Sequence, residues 1–273
     1  KIPVGIVFKQ GNGQNKILGL GLITNISNNK LNYKIEPFKM SQQPTFQFVK
    51  KDFDTIGSTK RVDALYRSDR FHELIKILKS NLSSNFVKYQ GKVGAPHHRG
   101  QKKTDPYRPY TWLGFWEGED RFGSLQFQVA LSKWEMRIRT KGKQPEFSAG
   151  LWFEGKVKSK KLRMKMLEQF QKQKVECFQM IKKLPSEYVM LLINEKKKLK
   201  HAWTISQLTE KNLDFVINEL QLPNSGDTKF KIAKFFTEKE TLGLKTGIVS
   251  EVTEAFETLL PLERLLTGKS GGG

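Results

Sequence analysis

The chain has 273 residues, 37% of them hydrophobic and 11% aromatic, which is enough to bury a substantial core and is not a disordered composition. Its formal charge of +21 is a self-repulsion that weakens a compact state unless a polyanion relieves it, and phosphate backbones are the commonest polyanions. A single cysteine, Cys177, excludes an internal disulfide, no apolar run approaches the roughly 20 residues of a membrane span, and KIPVGIVFKQ lacks the pattern of a signal peptide, so a cytoplasmic protein with no membrane partner is expected.

In chain order, residues 1–40 read as three short strands. PVGIVF, KILGLGLITNI and LNYKIEPF are separated by the turn sequences GNGQN and SNNK, and Leu31, Tyr33 and Ile35 alternate with polar residues. PTFQFV at 44–49 predicts one more strand. Phe71, Leu74, Ile75 and Leu78 fall at i, i+3, i+4 and i+7, so a helix is expected over Arg70–Lys79, capped by Ser68 or Asp69.

Residues 90–110, rich in Gly, Pro and Lys/Arg, predict a long loop without regular structure. TWLGFW, SLQFQVAL, KWEMRIR and EFSAGLWFEG then read as consecutive antiparallel strands. In the second of these Leu125, Phe127, Val129 and Leu131 face one side, and Gln126, Gln128 and Ala130 the other. A long basic helix is expected from Ser159 to Leu184, with Leu162, Met166, Phe170, Cys177 and Ile181 as its apolar stripe. A buried strand YVMLLI follows, then a helix near Thr209–Leu220, a strand at Lys229–Phe236 and a helix from Thr246 to Leu266. The fold class expected is α+β, antiparallel β meanders packed with a long basic helix and C-terminal helices. The organisation expected is a β-rich domain over 1–90 with one helix, a basic linker over 91–110, and an α+β domain over 111–273.

Two basic segments carry the functional argument. Between residues 156 and 200, fourteen Lys and Arg stand against four Glu. Lys158, Lys160, Lys161, Arg163 and Lys165 crowd the first turns of the long helix, where the helix dipole disfavours cations unless an anion is nearby. The loop carries Arg99, Lys102, Lys103 and Arg108 interleaved with Tyr107 and Tyr110. Arginine takes a phosphate or a guanine edge bidentately and aromatics stack on bases, so Arg99, Lys102, Lys103 and Arg108 are expected to read bases. Among the strand aromatics, Trp116 and Trp152, each beside a strand end, are the candidates to line a pocket for an extruded base.

Enzymatic signals are few. One cysteine and four histidines assemble no zinc pattern, and GKS at 268–270 is no phosphate loop because Glu263 stands where the motif needs glycine. Glu154 and Lys156 fit the E-x-K of a Mg²⁺-dependent PD-(D/E)xK nuclease, with Glu117, Glu119 or Asp120 as the upstream acid. Cys177, on an apolar helix stripe, reads as buried and inert.

The block TWLGFWEGEDRFGSLQFQVALSK, the segment AGLWFEGK with its basic helix, and the ending VTEAFETLLPLERLLTG resemble, in order, the specificity regions of restriction systems, including those that precede the motor of McrBC-type enzymes. Residues 1–37 are similar to parts of SRA- or PUA-like modified-base readers. The resemblance implies recognition of a DNA site, with cleavage or NTP hydrolysis in another domain or subunit. The expected partner is therefore DNA and no cofactor is expected. The alternatives are an RNA-binding protein and the Mg²⁺-dependent nuclease.

Overall fold

The computed structural model describes residues 2–9, 15–26, 33–37, 45–97, 106–108, 110–118, 125–132, 146–154, 160–194, 199–221 and 228–269. The chain forms two compact units, 1–45 and 46–273.

The first unit is the expected three-stranded meander. Strands β1 (Ile2–Lys9), β2 (Asn15–Ile26) and β3 (Tyr33–Pro37) pair antiparallel in the order β1-β2-β3, with register shifts at Ile6/Val7 and Ile23/Asn25.

The second unit is built on a seven-stranded antiparallel sheet. Its strands are β4 (Tyr89–Val93), β5 (Thr111–Glu117), β6 (Gln126–Ser132), β7 (Glu146–Glu154), β8 (Tyr188–Asn194), β9 (Leu199–Thr204) and β10 (Thr228–Thr237), in the spatial order β4-β5-β6-β7-β10-β8-β9. The class is α+β, as the sequence predicts. The register defines two faces. Phe115, Phe127, Leu151, Ile232, Met190 and Trp203 lie in one row across the first face.

That face is covered by helices α2 (Arg61–Asn81), α3 (Lys160–Lys172), α4 (Lys174–Lys182), α5 (Glu210–Gln221) and α7 (Ile248–Thr267). Phe256 of α7 meets Phe115 and Phe127 at ring distances of 5.9 and 5.2 Å, edge-on to the first and tilted on the second. The α7 helix stops at Gly268, whose φ of 71° is the left-handed conformation that glycine adopts without steric cost. Two short helices, α1 (Lys50–Asp54) and α6 (Glu238–Leu244), complete the unit.

Several expectations are corrected. PTFQFV forms no ladder. Phe46 and Phe48 are buried in an extended segment that leads into α1. The α2 helix begins nine residues earlier than the apolar spacing suggests, at Arg61 rather than Arg70, so Ser68 and Asp69 are interior to it and cap nothing. The loop begins after Val93, because residues 91–93 belong to β4. The long helix is broken at Gln173 (φ −102°, ψ 21°) into α3 and α4. Strand β10 inserts between β7 and β8, and the polar edge strand β9 has no counterpart in the sequence reading. The division of the chain falls at 45/46 rather than near 90, because α2 packs on β4, β5 and α7. The segment KWEMRIR lies outside the described residues.

Candidate nucleic-acid interface

The base of the basic loop is held together by a buried arginine. Arg67, on the buried side of α2, is only 2% exposed. Its Nε donates to the Thr111 hydroxyl at the start of β5 (3.3 Å). Its Nη1 donates to the Thr55 carbonyl, and its Nη2 to the carbonyls of Ser58 (3.4 Å) and Arg108 (3.1 Å). One guanidinium thus ties together the α1–α2 connection, the returning end of the loop and the first residue of β5. Burial holds it below arginine's usual pKa, and nearby Asp63 opposes that shift.

Backbone bonds close the frame. The Arg108 N–H donates to the His97 carbonyl (2.8 Å) and the Tyr107 N–H to the Thr59 carbonyl (2.9 Å). Residues 97 and 108 therefore meet at the neck of an excursion that contains Arg99, Lys102 and Lys103, all three outside the described residues. Arg108 itself is exposed at the neck, where its Nη1 donates to the Tyr110 hydroxyl (2.6 Å). Gly94 packs so closely that a Cβ there would lie 2.4 Å from the Trp112 indole. Between α2, residues 94–97, Arg108 and residues 110–112 lies a small cleft.

The second basic region behaves differently. The first turn of α3 has no acidic residue. Lys160, Lys161 and Arg163 lie in its first turns, Lys165 is exposed beyond them, and Lys158 is outside the described residues. Met166, Leu167 and Phe170 of α3, with Cys177 and Ile181 of α4, are buried. Desolvation pushes the Cys177 thiol up to about 12, the behaviour of an inert core residue. Among the described basic side chains of this region, two have internal partners. Lys174 pairs with Asp214 (2.8 Å), and Lys182 donates to the carbonyls of Ile205, Ser206 and Leu208 (2.9, 3.3 and 3.4 Å).

Trp116 and Trp152 share one row on the second face of the sheet, with Gln126 between them and Lys231 beyond. Both tryptophans are buried, and the Trp116 Nε1 has no hydrogen-bond partner among the described residues. Lys231 is fully buried, donates to the Ser148 hydroxyl (2.8 Å) and stands 5.1 Å from the centre of the Trp152 ring.

Of the nuclease candidates, Glu117 and the backbone of residue 154 are described. Glu117 follows the parity of Phe115 and belongs to the helix-covered face, whereas residue 154 pairs with Lys229 in the register of the other face. Glu117 instead accepts from Lys269 (2.6 Å), next to a buried carboxylate on α7, Glu263. Burial raises the Glu263 pKa, while the Tyr89 hydroxyl (2.8 Å) and Lys269 oppose the rise. Glu119, Asp120 and Lys156 lie outside the described residues. Among the described residues no three His, Cys, Asp or Glu side chains gather as metal ligands would, and no helix is long and apolar enough to cross a membrane.

Sequence reasoning missed Arg67, the residue that organises the loop. The available signal was its position, since 64, 67, 71, 74 and 78 continue the helical spacing of α2. No protein-family model matches the chain, and a search of curated proteins finds no match.

Proposed function

We propose that this chain binds DNA as the recognition module of a restriction or defence protein, with any nuclease or NTPase activity in another domain or subunit. The observation that supports this most is the pinned neck of the basic loop. A buried arginine and two backbone bonds hold the two ends of the basic segment together beside the sheet, as a readout loop requires. In this reading Arg99, Lys102 and Lys103 contact base edges. Lys158, Lys160, Lys161, Arg163 and Lys165 supply sequence-independent affinity for the phosphate backbone at the start of α3. The charge of +21 is the second support.

The test is binding of the purified chain to labelled duplex DNA, the same duplex methylated, and single-stranded RNA, each at two salt concentrations with and without Mg²⁺. The expected result is salt-sensitive binding that prefers one duplex. Replacing Lys160, Lys161 and Arg163 together with Ala should weaken every duplex alike and flatten the salt dependence by roughly one unit per lost phosphate contact. Absence of binding at low salt overturns the reading, and preference for RNA moves the function to RNA. Mg²⁺-dependent nicking that is lost in Glu154→Ala would establish the nuclease alternative instead.

A further inference from the structure

We propose that the cleft at the neck of the basic loop is an anion site that seats a phosphate group. The inference rests on the nucleic-acid reading and moves Arg108 from base readout to a backbone contact.

Charge is the first argument. Among the described residues the cleft is lined by two arginines, Arg67 and Arg108, and by no carboxylate. Every hydrogen-bond partner of Arg67 is a neutral oxygen, three carbonyls and one hydroxyl. The carboxylate that acts on it from a distance, Asp63, is engaged by the Ser58 hydroxyl. A buried cation with only neutral partners keeps its field, and in a low-dielectric surround that field favours an anion at the open side.

Shape is the second argument. The cleft has room for about one water-sized group. That excludes an extruded base and suits a single phosphate oxygen.

Donor geometry is the third. Arg108 stands exposed at the rim with one guanidinium nitrogen tied to Tyr110, which fixes the plane of a fork that fits phosphate bidentately. His97, also exposed, lines the cleft and accepts the Arg108 N–H at its carbonyl.

The phosphate can come from a duplex backbone or from a free phosphate monoester, and the test separates them. Backbone amides of 94, 95, 97, 108 and 110–112 are followed by NMR while the protein is titrated with inorganic phosphate, thymidine 5′-monophosphate and a short duplex. Two variants accompany the wild type. Arg108→Gln removes the rim cation, and Ala95→Asp adds a carboxylate at an exposed lip position where folding is not at stake. Inorganic phosphate should shift the cleft amides of the wild type and leave those of Ala95→Asp unmoved. Each variant should lose about tenfold in duplex affinity at low salt, the size of one charge-assisted contact, and should flatten the salt slope by about one unit.

Normal duplex affinity and slope in both variants would overturn the phosphate site while leaving the DNA reading intact. Cleft amides that respond to phosphate or nucleotide in a protein that binds no duplex would support the site and overturn the DNA reading. Cleft amides indifferent to all three probes would overturn the site.

Discussion

The two basic regions use positive charge in opposite ways. At the loop neck a cation is buried and works on the backbone. Arg67 makes four hydrogen bonds to three separate segments, and its charge acts through the frame it holds. Among the described side chains of α3 and α4, Lys174 and Lys182, both on α4, find internal partners. Lys165, Lys172 and Lys183 remain exposed. A count of lysines and arginines treats these populations alike. The structure separates cations that build the surface from cations available to an anion.

Five substitutions, one of them a control, test that separation. Arg67→Met should have the largest effect, about 3 kcal/mol of stability, because three carbonyls and a hydroxyl lose their donor in a buried place. Urea unfolding measures it, and hydrogen exchange at the Tyr107 and Arg108 amides should quicken in parallel. A loss below about 1 kcal/mol would mean that the neck is not held by Arg67.

Gly94→Ala should cost about 2 kcal/mol by pressing a methyl group into the Trp112 ring. Gly243→Ala in α6 is the matching control. Nothing lies within 4 Å of its Cβ, and a gain of about 0.5 kcal/mol is expected in thermal unfolding.

Lys182→Met should cost about 1 kcal/mol by uncapping the 205–208 turn, without changing the salt dependence of duplex binding. Altered salt dependence would place Lys182 among the available cations. Smallest of all, Lys165→Gln should leave stability unchanged and weaken duplex binding about twofold, measured by fluorescence anisotropy.

The parts legible in the sequence were those in which apolar periodicity and burial coincide. Leu125, Phe127, Val129 and Leu131 announce β6, and Leu213, Val216, Ile217 and Leu220 announce α5, because each fills one face with hydrocarbon. The first half of α2 was illegible for the converse reason. Its buried side carries Ala64, Arg67 and Ser68 while Val62 and Leu65 are exposed, so hydropathy shows no stripe although the spacing is helical. Phe46 and Phe48 alternate like a strand but find no neighbouring ladder, and alternation alone does not supply one. Strand β9 is polar because it lies at the sheet edge. At the site, basic clusters were visible as composition. The hub that orders one of them was not, since a buried arginine and a surface arginine are the same letter until tertiary partners are known.

The position of β10 bears on the order in which the chain can be made and folded. Until residues 228–237 leave the ribosome, β4–β7 and β8–β9 are two separate ribbons, and β7 and β8 each present an unpaired edge at what becomes the middle of the sheet. Both ribbons are among the most apolar parts of the protein, and every residue of β8 is buried in the finished fold. A nascent chain stopped before residue 228 therefore carries two open hydrophobic edges, the feature that most invites strand-to-strand aggregation. Synthesis of residues 228–237 supplies the strand that closes both at once. C-terminal truncations that remove β10 are for this reason expected to reach inclusion bodies rather than to yield a smaller soluble domain.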